Sequence, residues 1–377
     1  MKIALVHDYL REYGGAERVL EALHEMYPDA PLYTSFVDFS SLGKRAEKFK
    51  NWDIRTSWVQ KYFLIKKFIS PLRFLAPMIW SSFDLSEFDV VISSSGWFMC
   101  RGVSVKKPAT HICYIHHPPR NLYGYATGST LQKYPLVRMY AAFINHFLRK
   151  YDFQTAQKVD YFIANSKETA RRVEKFYRRD STVIYPPIEV DKNNQQSLLV
   201  QARTNNKKKT YYLSVGRLSW AKRVDIIIRA CNILKAPLKI VGIGKEETYL
   251  RSIAGPTVEF VGSVSDEGLA RLYADAKAFL FCGLDEDFGM VPVEAMSYGT
   301  PVIALAEGGV KETVIDGKTG ILFDEPTEEC FTKAINRFSA IHKQWENDCK
   351  RHAQTFSSVR FKKEVKFFVQ THSLHNS

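Results

Sequence analysis

The chain reads as an α/β protein built from two doubly wound parallel sheets facing a cleft, and three observations carry that expectation. Apolar runs bounded by turn residues alternate with stretches of helical spacing in both halves, the pattern of strand–helix–strand crossovers. At 377 residues the chain is too long for one ordinary core, so two domains are expected. Between the halves, Asp191 to Lys209 (DKNNQQSLLVQARTNNKKK) is polar and amide-rich, follows Pro186-Pro187 and reads as a linker. The expected divisions are a first domain over 1–190, the linker over 191–209, a second domain over 210–355 and a C-terminal helical segment over 356–377.

In the first half the strand-like runs fall at 2–6, 31–36, 89–94, 111–115, 160–164 and 182–185. Helical spacing appears at 16–27 (AERVLEALHEMY) and at 167–177, the latter preceded by Ser166 as a plausible N-cap. The second half repeats the alternation with runs at 210–215, 237–241, 257–261, 277–282, 301–305 and 320–323. One helix is expected from about Val224, and a short one from near Met290, with Pro292 suiting its first turn and Gly299 its end. The segment 357–370 (SSVRFKKEVKFFVQ) is amphipathic. Open α/β sheets bind ligands outside the carboxyl ends of their strands, so the loops leaving those strands are where chemistry is sought.

Composition narrows the partners. The formal charge is +13, and residues 1–190 carry 27 Lys and Arg against 18 Asp and Glu, leaving 26 against 22 for the remainder. From Val90 to Tyr151 there is no carboxylate at all. Such a surface attracts polyanions. No zinc finger, RNP-like strand or basic coiled coil accompanies the charge, so nucleic acid is not expected, and an anionic membrane or a lipid diphosphate fits better. The stretch 44–80 interleaves aromatic residues with lysines, as an interfacial segment does; an ordinary core-facing helix with a basic outer face is the alternative. Lys61, Lys66, Lys67, Arg73, Pro71 and Pro77 interrupt it and exclude a membrane span. The chain starts directly in a strand-like run with no secretory leader pattern, and six cysteines lack any metal or disulfide spacing, so a cytoplasmic location is expected, peripheral on the membrane's inner face if the basic stretch binds lipid.

Glu286 and Glu294, with seven residues between them, lie in a loop-then-helix stretch, CGLDEDFGMVPVEAMSYGTPVIALAEGG. Gly289 leaves the backbone bare where helix-start amides point outward, so an anion can sit there between two carboxylates. Carboxylates accept paired hydroxyl hydrogen bonds while helix amides hold a diphosphate, which is the anatomy of a nucleotide-sugar site. Capping glutamates are the bland alternative, and Asp285-Glu286-Asp287 also reads as a metal-binding Asp-x-Asp. Elsewhere, YYLSVGRLSWAKRVD presents Gly216, Arg217 and Lys222 after a strand, cations that suit a departing diphosphate or are simply solvated. HDYLREYGGAERV places Tyr13 and Gly14-Gly15 ahead of a helix, where a tight turn is the alternative to an anion seat. HICYIHHPPR presents His116, His117 and Arg120 at a strand's end, with His116 preferred as the proton relay or hydroxyl partner. IVGIGKEE supplies Gly242 and Gly244 without a full dinucleotide fingerprint, and a plain turn explains it.

Taken in order, GGAERV, YIHHPPR, YPPI, GRLSWAKR, GSVSDEGLARLYADA, EDFGMVPVEAMSYGTPVIA and GGVKETV resemble the retaining GT-B glycosyltransferases of family 4, mannosyltransferase-type members in particular. The resemblance spans nearly the whole chain, is most specific in the E-D-F-G-M-V-P-V-E block and weakest in the linker and in 38–88. It implies two Rossmann-like domains in GT-B architecture, with the C-terminal helix crossing back onto the first. It also implies that Glu294 binds the donor's ribose, Glu286 the donor sugar's hydroxyls, and Phe288, Gly289, Met290 and Val291 the sugar and diphosphate through backbone amides. Arg217 and Lys222 would neutralise the leaving diphosphate, with Gly14, Gly15 and Gly216 nearby in the donor set. His116 would contact the transferred sugar, Val264 the base, and Tyr13, His116 and Arg120 would form the acceptor side. His117 departs from the pattern, which commonly has a small polar residue there.

The implied reaction moves a hexose, mannose from GDP-mannose as the first expectation or a hexose from UDP, to a saccharide or lipid-linked saccharide acceptor, with no cofactor and no metal. A nucleotide-sugar epimerase or phosphorylase of the same fold is the nearest alternative. A polyanion- or membrane-binding module is the alternative from another class.

Overall fold

The computed structural model describes residues 1–126, 134–189, 209–341 and 343–373. The expected linker therefore lies outside the described residues apart from Lys209. The chain divides into two compact units, one taking the N-terminal part to Pro187 together with the segment from Val359, the other running from Ile188 to Ser358 and including Ala126.

The first unit holds a seven-stranded, all-parallel sheet: β1 (Ile3–His7), β2 (Leu32–Thr34), β3 (Ile54–Thr56), β4 (Val90–Ser95), β5 (Thr110–Ile115), β6 (Tyr161–Ala164) and β7 (Thr182–Val183), ordered β3-β2-β1-β4-β5-β6-β7. β1, β4 and β5 are buried along their whole lengths, so β1 reads as a near-continuous apolar run, while β4 and β5 also bury Ser93, Ser94, Ser95, Thr110 and His111. Leu5, Leu20, Leu23 and Ile92 pack one face, and Val6, Val91, Trp80 and Phe98 the other. The C-terminal helix Ser358–Ser373 belongs to this unit, inserting Phe361, Val365, Phe368 and Val369 beside Leu20 and Leu23. Their spacing of four, three and one puts them on one helical stripe.

The second unit holds six parallel strands: β8 (Tyr212–Val215), β9 (Leu238–Val241), β10 (Val258–Gly262), β11 (Phe279–Phe281), β12 (Val302–Leu305) and β13 (Gly320–Phe323), ordered β10-β9-β8-β11-β12-β13. Strand order reverses between β1 and β4 in the first sheet and between β8 and β11 in the second. Crossovers leave a crevice at such a reversal, so the loops after these four strands are the ones free to surround a ligand.

Two of the elements that carried no expectation are β3 and the helix Pro135–Lys158. β3 sits at the sheet edge and is only three residues long, too short to leave a periodic trace. The helix Pro135–Lys158 is 24 residues long and carries apolar side chains on opposite faces, so it shows no single stripe. The stretch after Ser57 is a series of short helical turns, Trp58–Lys61, Phe63–Lys67, Arg73–Leu75 and Ala76–Trp80. No described helix is long and apolar enough to cross a membrane.

Candidate active site

In the second unit the reversal brings the loops after β8 and β11 together. Leu284 donates its backbone N–H to the carbonyl of Ala221 at 2.8 Å, and the loop pair closes around a side-chain contact, Lys222 Nζ to Glu286 Oε2 at 2.6 Å. Lys222 ends the short turn Trp220–Lys222, and its ammonium lies 5.3 Å from the centre of the Phe281 ring. A small pocket beside it is lined by Gly216, Arg217, Lys222, Phe281 and Cys282. Arg217 is exposed at the pocket's rim. Burial pushes the Cys282 thiol up to about 12, so it stays protonated and offers no thiolate nucleophile.

The glycines after β8 and β9 are explained by packing. Gly242 has φ +130°, and a Cβ there would stand 2.0 Å from the carbonyl oxygen of Gly216. Gly244 meets the Leu218 carbonyl in the same way, at 2.1 Å. The G-x-G is therefore a seat on which the loop carrying Arg217 rests, and not a dinucleotide-binding turn. A Cβ on Gly216 itself would meet nothing within 4 Å, so space, not packing, surrounds it on the pocket side.

After β11, Asp285 takes a left-handed backbone (φ 52°) and Gly289, at φ 87°, opens the helix Met290–Ser297. Phe288 is buried and meets Phe356 edge to face, anchoring the loop from below. The amides of Met290 and Val291 fall in the first turn of the helix, where no intrahelical acceptor exists for them. Glu294 lies one turn on, its Oε2 accepting from the Tyr273 hydroxyl at 3.4 Å. Tyr273 comes from the helix Asp266–Asp275, which Ser265 caps and half-buried Val264 precedes, and its ring stacks on Tyr298 at 5.6 Å. The structure thus gathers Gly216, Arg217, Lys222, Glu286, Phe288, Gly289, Met290, Val291 and Glu294 along the carboxyl ends of β8 and β11, with Val264 after the edge strand β10. The three acidic side chains Asp285, Glu286 and Asp287 sit in one loop, but among the described residues no three His, Cys, Asp or Glu groups converge as metal ligands do.

Three residues of this site carried no sequence expectation. Glu307 Oε1 accepts the Asp285 amide at 2.8 Å, and Gly309 donates its N–H to the Glu286 carbonyl at 2.8 Å. A Cβ on Gly308 would come within 2.1 Å of that same carbonyl. The loop after β12 therefore clamps the acidic loop from behind. The G-G of GGVKETV was the available trace, but the close approach that requires it is a tertiary fact.

In the first unit, Gly14 caps the helix Gly15–Met26, and its N–H donates to Glu17 Oε2 at 2.7 Å. Glu17 Oε1 lies 3.5 Å from His7 Nε2, His7 Nδ1 3.1 Å from Ser94 Oγ, and Ser94 Oγ 2.8 Å from His116 Nε2. All four side chains are buried. This chain fixes the His116 ring, while Asn165 Nδ2 donates to the His116 carbonyl at 2.9 Å. His117 is less buried, its Nδ1 3.0 Å from the Pro118 carbonyl. Arg120 starts the short helix Arg120–Tyr123 and is half-buried. Tyr13 turns its hydroxyl to Glu21 and takes Arg45 and Lys48 over its ring, so it is held back against its own helix. Asp8, in the loop after β1, accepts the amides of Gly96, Phe98 and Cys100 at 2.9 to 3.1 Å and fastens the loop after β4.

Residues 196–355 match the family described as glycosyl transferases group 1, and residues 13–192 match Glycosyltransferase Family 4. Among curated proteins, a glycogen synthase of Thermodesulfovibrio yellowstonii is 30% identical over 193 residues, 49% of this chain and 37% of that enzyme. A D-inositol 3-phosphate glycosyltransferase of a Nocardioides species is 29% identical over 214 residues, 49% of this chain and 47% of that one. The chain thus spans less than half the length of these curated relatives. Among solved structures, Anabaena HepE in complex with UDP and glucose superposes with a TM-score of 0.71 at 19% identity, covering 98% of this chain and 99% of that one. At that identity the likeness shows the fold.

Proposed function

We propose that this chain, a GT-B glycosyltransferase by its two matched halves and its fold, transfers a hexose from a nucleotide-diphosphate sugar to a saccharide or lipid-linked saccharide acceptor. The observation that carries the reading is the 2.6 Å contact of Lys222 with Glu286 at the β8/β11 reversal, next to the helix start at Gly289. It joins a cation and a carboxylate beside outward-facing amides, the three groups that a diphosphate bonded to a polyol requires.

In the transfer the anomeric carbon becomes cationic while the nucleotide diphosphate departs with added negative charge. Lys222 and Arg217 stabilise that charge, and the amides of Gly289, Met290 and Val291 receive phosphate oxygens. On donor binding Lys222 shares its ammonium between Glu286 and the phosphate, so Glu286 both orients the cation and takes sugar hydroxyls. Glu294 takes the ribose diol, which its Tyr273 contact holds in place. Gly14 and Gly15 are assigned phosphate contacts, and His116, steadied by Ser94, a contact to the sugar. No carboxylate beyond Glu286 is assigned to the reacting face, so the acceptor hydroxyl attacks from the side the leaving diphosphate vacates, the anomeric C–O bond to phosphate breaks, the departing phosphate oxygen takes the hydroxyl proton, and the anomeric configuration is retained.

The sugar read from HDYL, YIHHPPR and YPPI is mannose from GDP-mannose. The likeness to a protein crystallised with UDP and glucose supports UDP-glucose as a competing donor, with UDP-galactose the other alternative. A cytoplasmic enzyme working at an anionic membrane surface belongs to the same reading, since a lipid-linked acceptor is met there. The test is incubation of the full chain with each nucleotide-sugar and candidate acceptors, with chelator present, followed by NMR of the product's anomeric linkage. A retained linkage formed in chelator supports the proposal. An inverted linkage, or transfer abolished by chelator, overturns the mechanism.

A further inference from the structure

The helix Pro135–Lys158 has two apolar faces. One is inward, with Ile144, Leu148 and Tyr151 against the first unit's core. The other carries Leu136, Met139, Phe143 and Phe147, spaced three, four and four apart, and these are exposed, from 56% at Phe147 to 75% at Leu136. A second exposed apolar group lies on the turns before it in sequence, Tyr62, Phe63 and Leu64, the last two exposed by 69% and 66%. The turns that follow this group are tied to the helix: the Tyr140 hydroxyl donates to the Pro71 carbonyl at 2.6 Å, and Arg73 donates to the Asn145 side chain. Large apolar side chains concentrated in this way mark a surface that something covers.

Charge identifies the occupant. Residues 54–83 and 90–151, which supply both groups of exposed rings, contain no Asp or Glu, and Asp152 further along the helix is fully buried, while Lys61, Lys67, Arg138, Arg149 and Lys150 stand exposed on the same stretches. A second copy of this face would bring cations against cations. A protein partner's interface core is depleted of lysine, whereas rings that enter a headgroup layer flanked by lysines that meet its phosphates are what a bilayer selects. We propose that this two-element face docks the first unit onto an anionic phospholipid bilayer, with the 135–158 helix lying in the headgroup layer. The proposal deepens the reading of a membrane-linked acceptor given above, although its test needs neither donor nor acceptor.

The test is flotation of the full chain with vesicles of phosphatidylcholine alone and with phosphatidylglycerol added, at low and high salt. Wild-type protein is expected to float with the anionic vesicles and to release as salt screens the attraction. Phe143→Ser with Phe147→Ser is expected to weaken binding at least about tenfold, since each ring contributes burial of apolar surface, with an unchanged unfolding midpoint because both positions are exposed. Lys61→Glu with Lys67→Glu is expected to abolish the preference for phosphatidylglycerol. Wild-type protein that stays at the bottom with both vesicle types overturns the proposal. So does a Phe143→Ser/Phe147→Ser variant that floats like wild type, or sedimentation showing that the face instead pairs two copies. Loss of sugar transfer with flotation intact would count against the enzymatic reading alone.

Discussion

Replacing Lys222 by alanine separates a structural cation from one that works on the leaving group. Its contact with Glu286 is short, 2.6 Å, but the two side chains keep 31% and 17% of their exposure, so solvent screens the pair. A pair of that kind contributes up to about 1 kcal/mol to stability, which corresponds to a fall of a few degrees in the unfolding midpoint of a domain this size. A preorganised cation facing a departing diphosphate is worth far more in the transition state, about 3 to 4 kcal/mol, or roughly 10² to 10³ fold in turnover. Lys222→Ala is therefore expected to unfold within a few degrees of wild type and to lose turnover by that factor, measured by nucleotide release from donor in the presence of acceptor. Lys222→Arg keeps the charge and is expected to recover part of the rate. Near-normal turnover of the alanine variant refutes the role. A loss of turnover accompanied by an equal loss of folded protein would reduce Lys222 to a structural residue.

Four other outcomes follow from named contacts. Gly242→Ala puts a methyl 2.0 Å from the Gly216 carbonyl at a positive φ, so thermal unfolding should show a destabilisation of about 2 kcal/mol or more. Gly14→Ala meets only Glu17 Oε2 at 3.5 Å; it should fold normally yet lower kcat/KM by roughly tenfold if a ligand phosphate must approach that backbone. Asp152→Asn leaves Arg101 without the carboxylate it faces in the first unit's core, and equilibrium unfolding should register a loss of about 3 to 5 kcal/mol. Burial pushes the His111 imidazole down from 6.5 to about 4, nearby Asp160 opposing and Arg101 adding to the shift. The unfolded chain then binds a proton at His111 that the folded chain refuses, so its contribution is full above about pH 6.5 and is lost as pH falls toward 4. His111→Gln should flatten the unfolding midpoint across that window.

The strands were legible because a parallel sheet covered on both faces forces apolar runs, and β1, β11 and β12 show them plainly. Helices with one apolar stripe, such as Gly15–Met26 and Lys167–Tyr177, were equally readable, down to the Ser166 cap that accepts from the Thr169 amide. The helix Pro135–Lys158 was not, because its outer apolar face cancels the stripe by which a helix is recognised. In the site, Lys222 and Glu286 could be proposed as individual residues, but their contact depends on which strands become neighbours. The supporting roles of Glu307, Gly308 and Gly309 were illegible for the same reason, since the Glu307 contact reaches a residue 22 positions away in sequence. Tyr13, assigned to the acceptor side by resemblance, turns its hydroxyl to Glu21 and takes Arg45 and Lys48 over its ring, contacts that depend on tertiary structure.

Calorimetric titration of the full chain with nucleoside diphosphates and their sugars, run in parallel on Glu294→Ala, tests most directly whether the second unit holds a nucleotide-sugar. Saturable binding of one nucleotide series by wild type, tighter for the sugar-bearing form and weakened at least about tenfold in the variant, is the expected result. Absence of binding across the series, or binding that Glu294→Ala leaves unchanged, would contradict it.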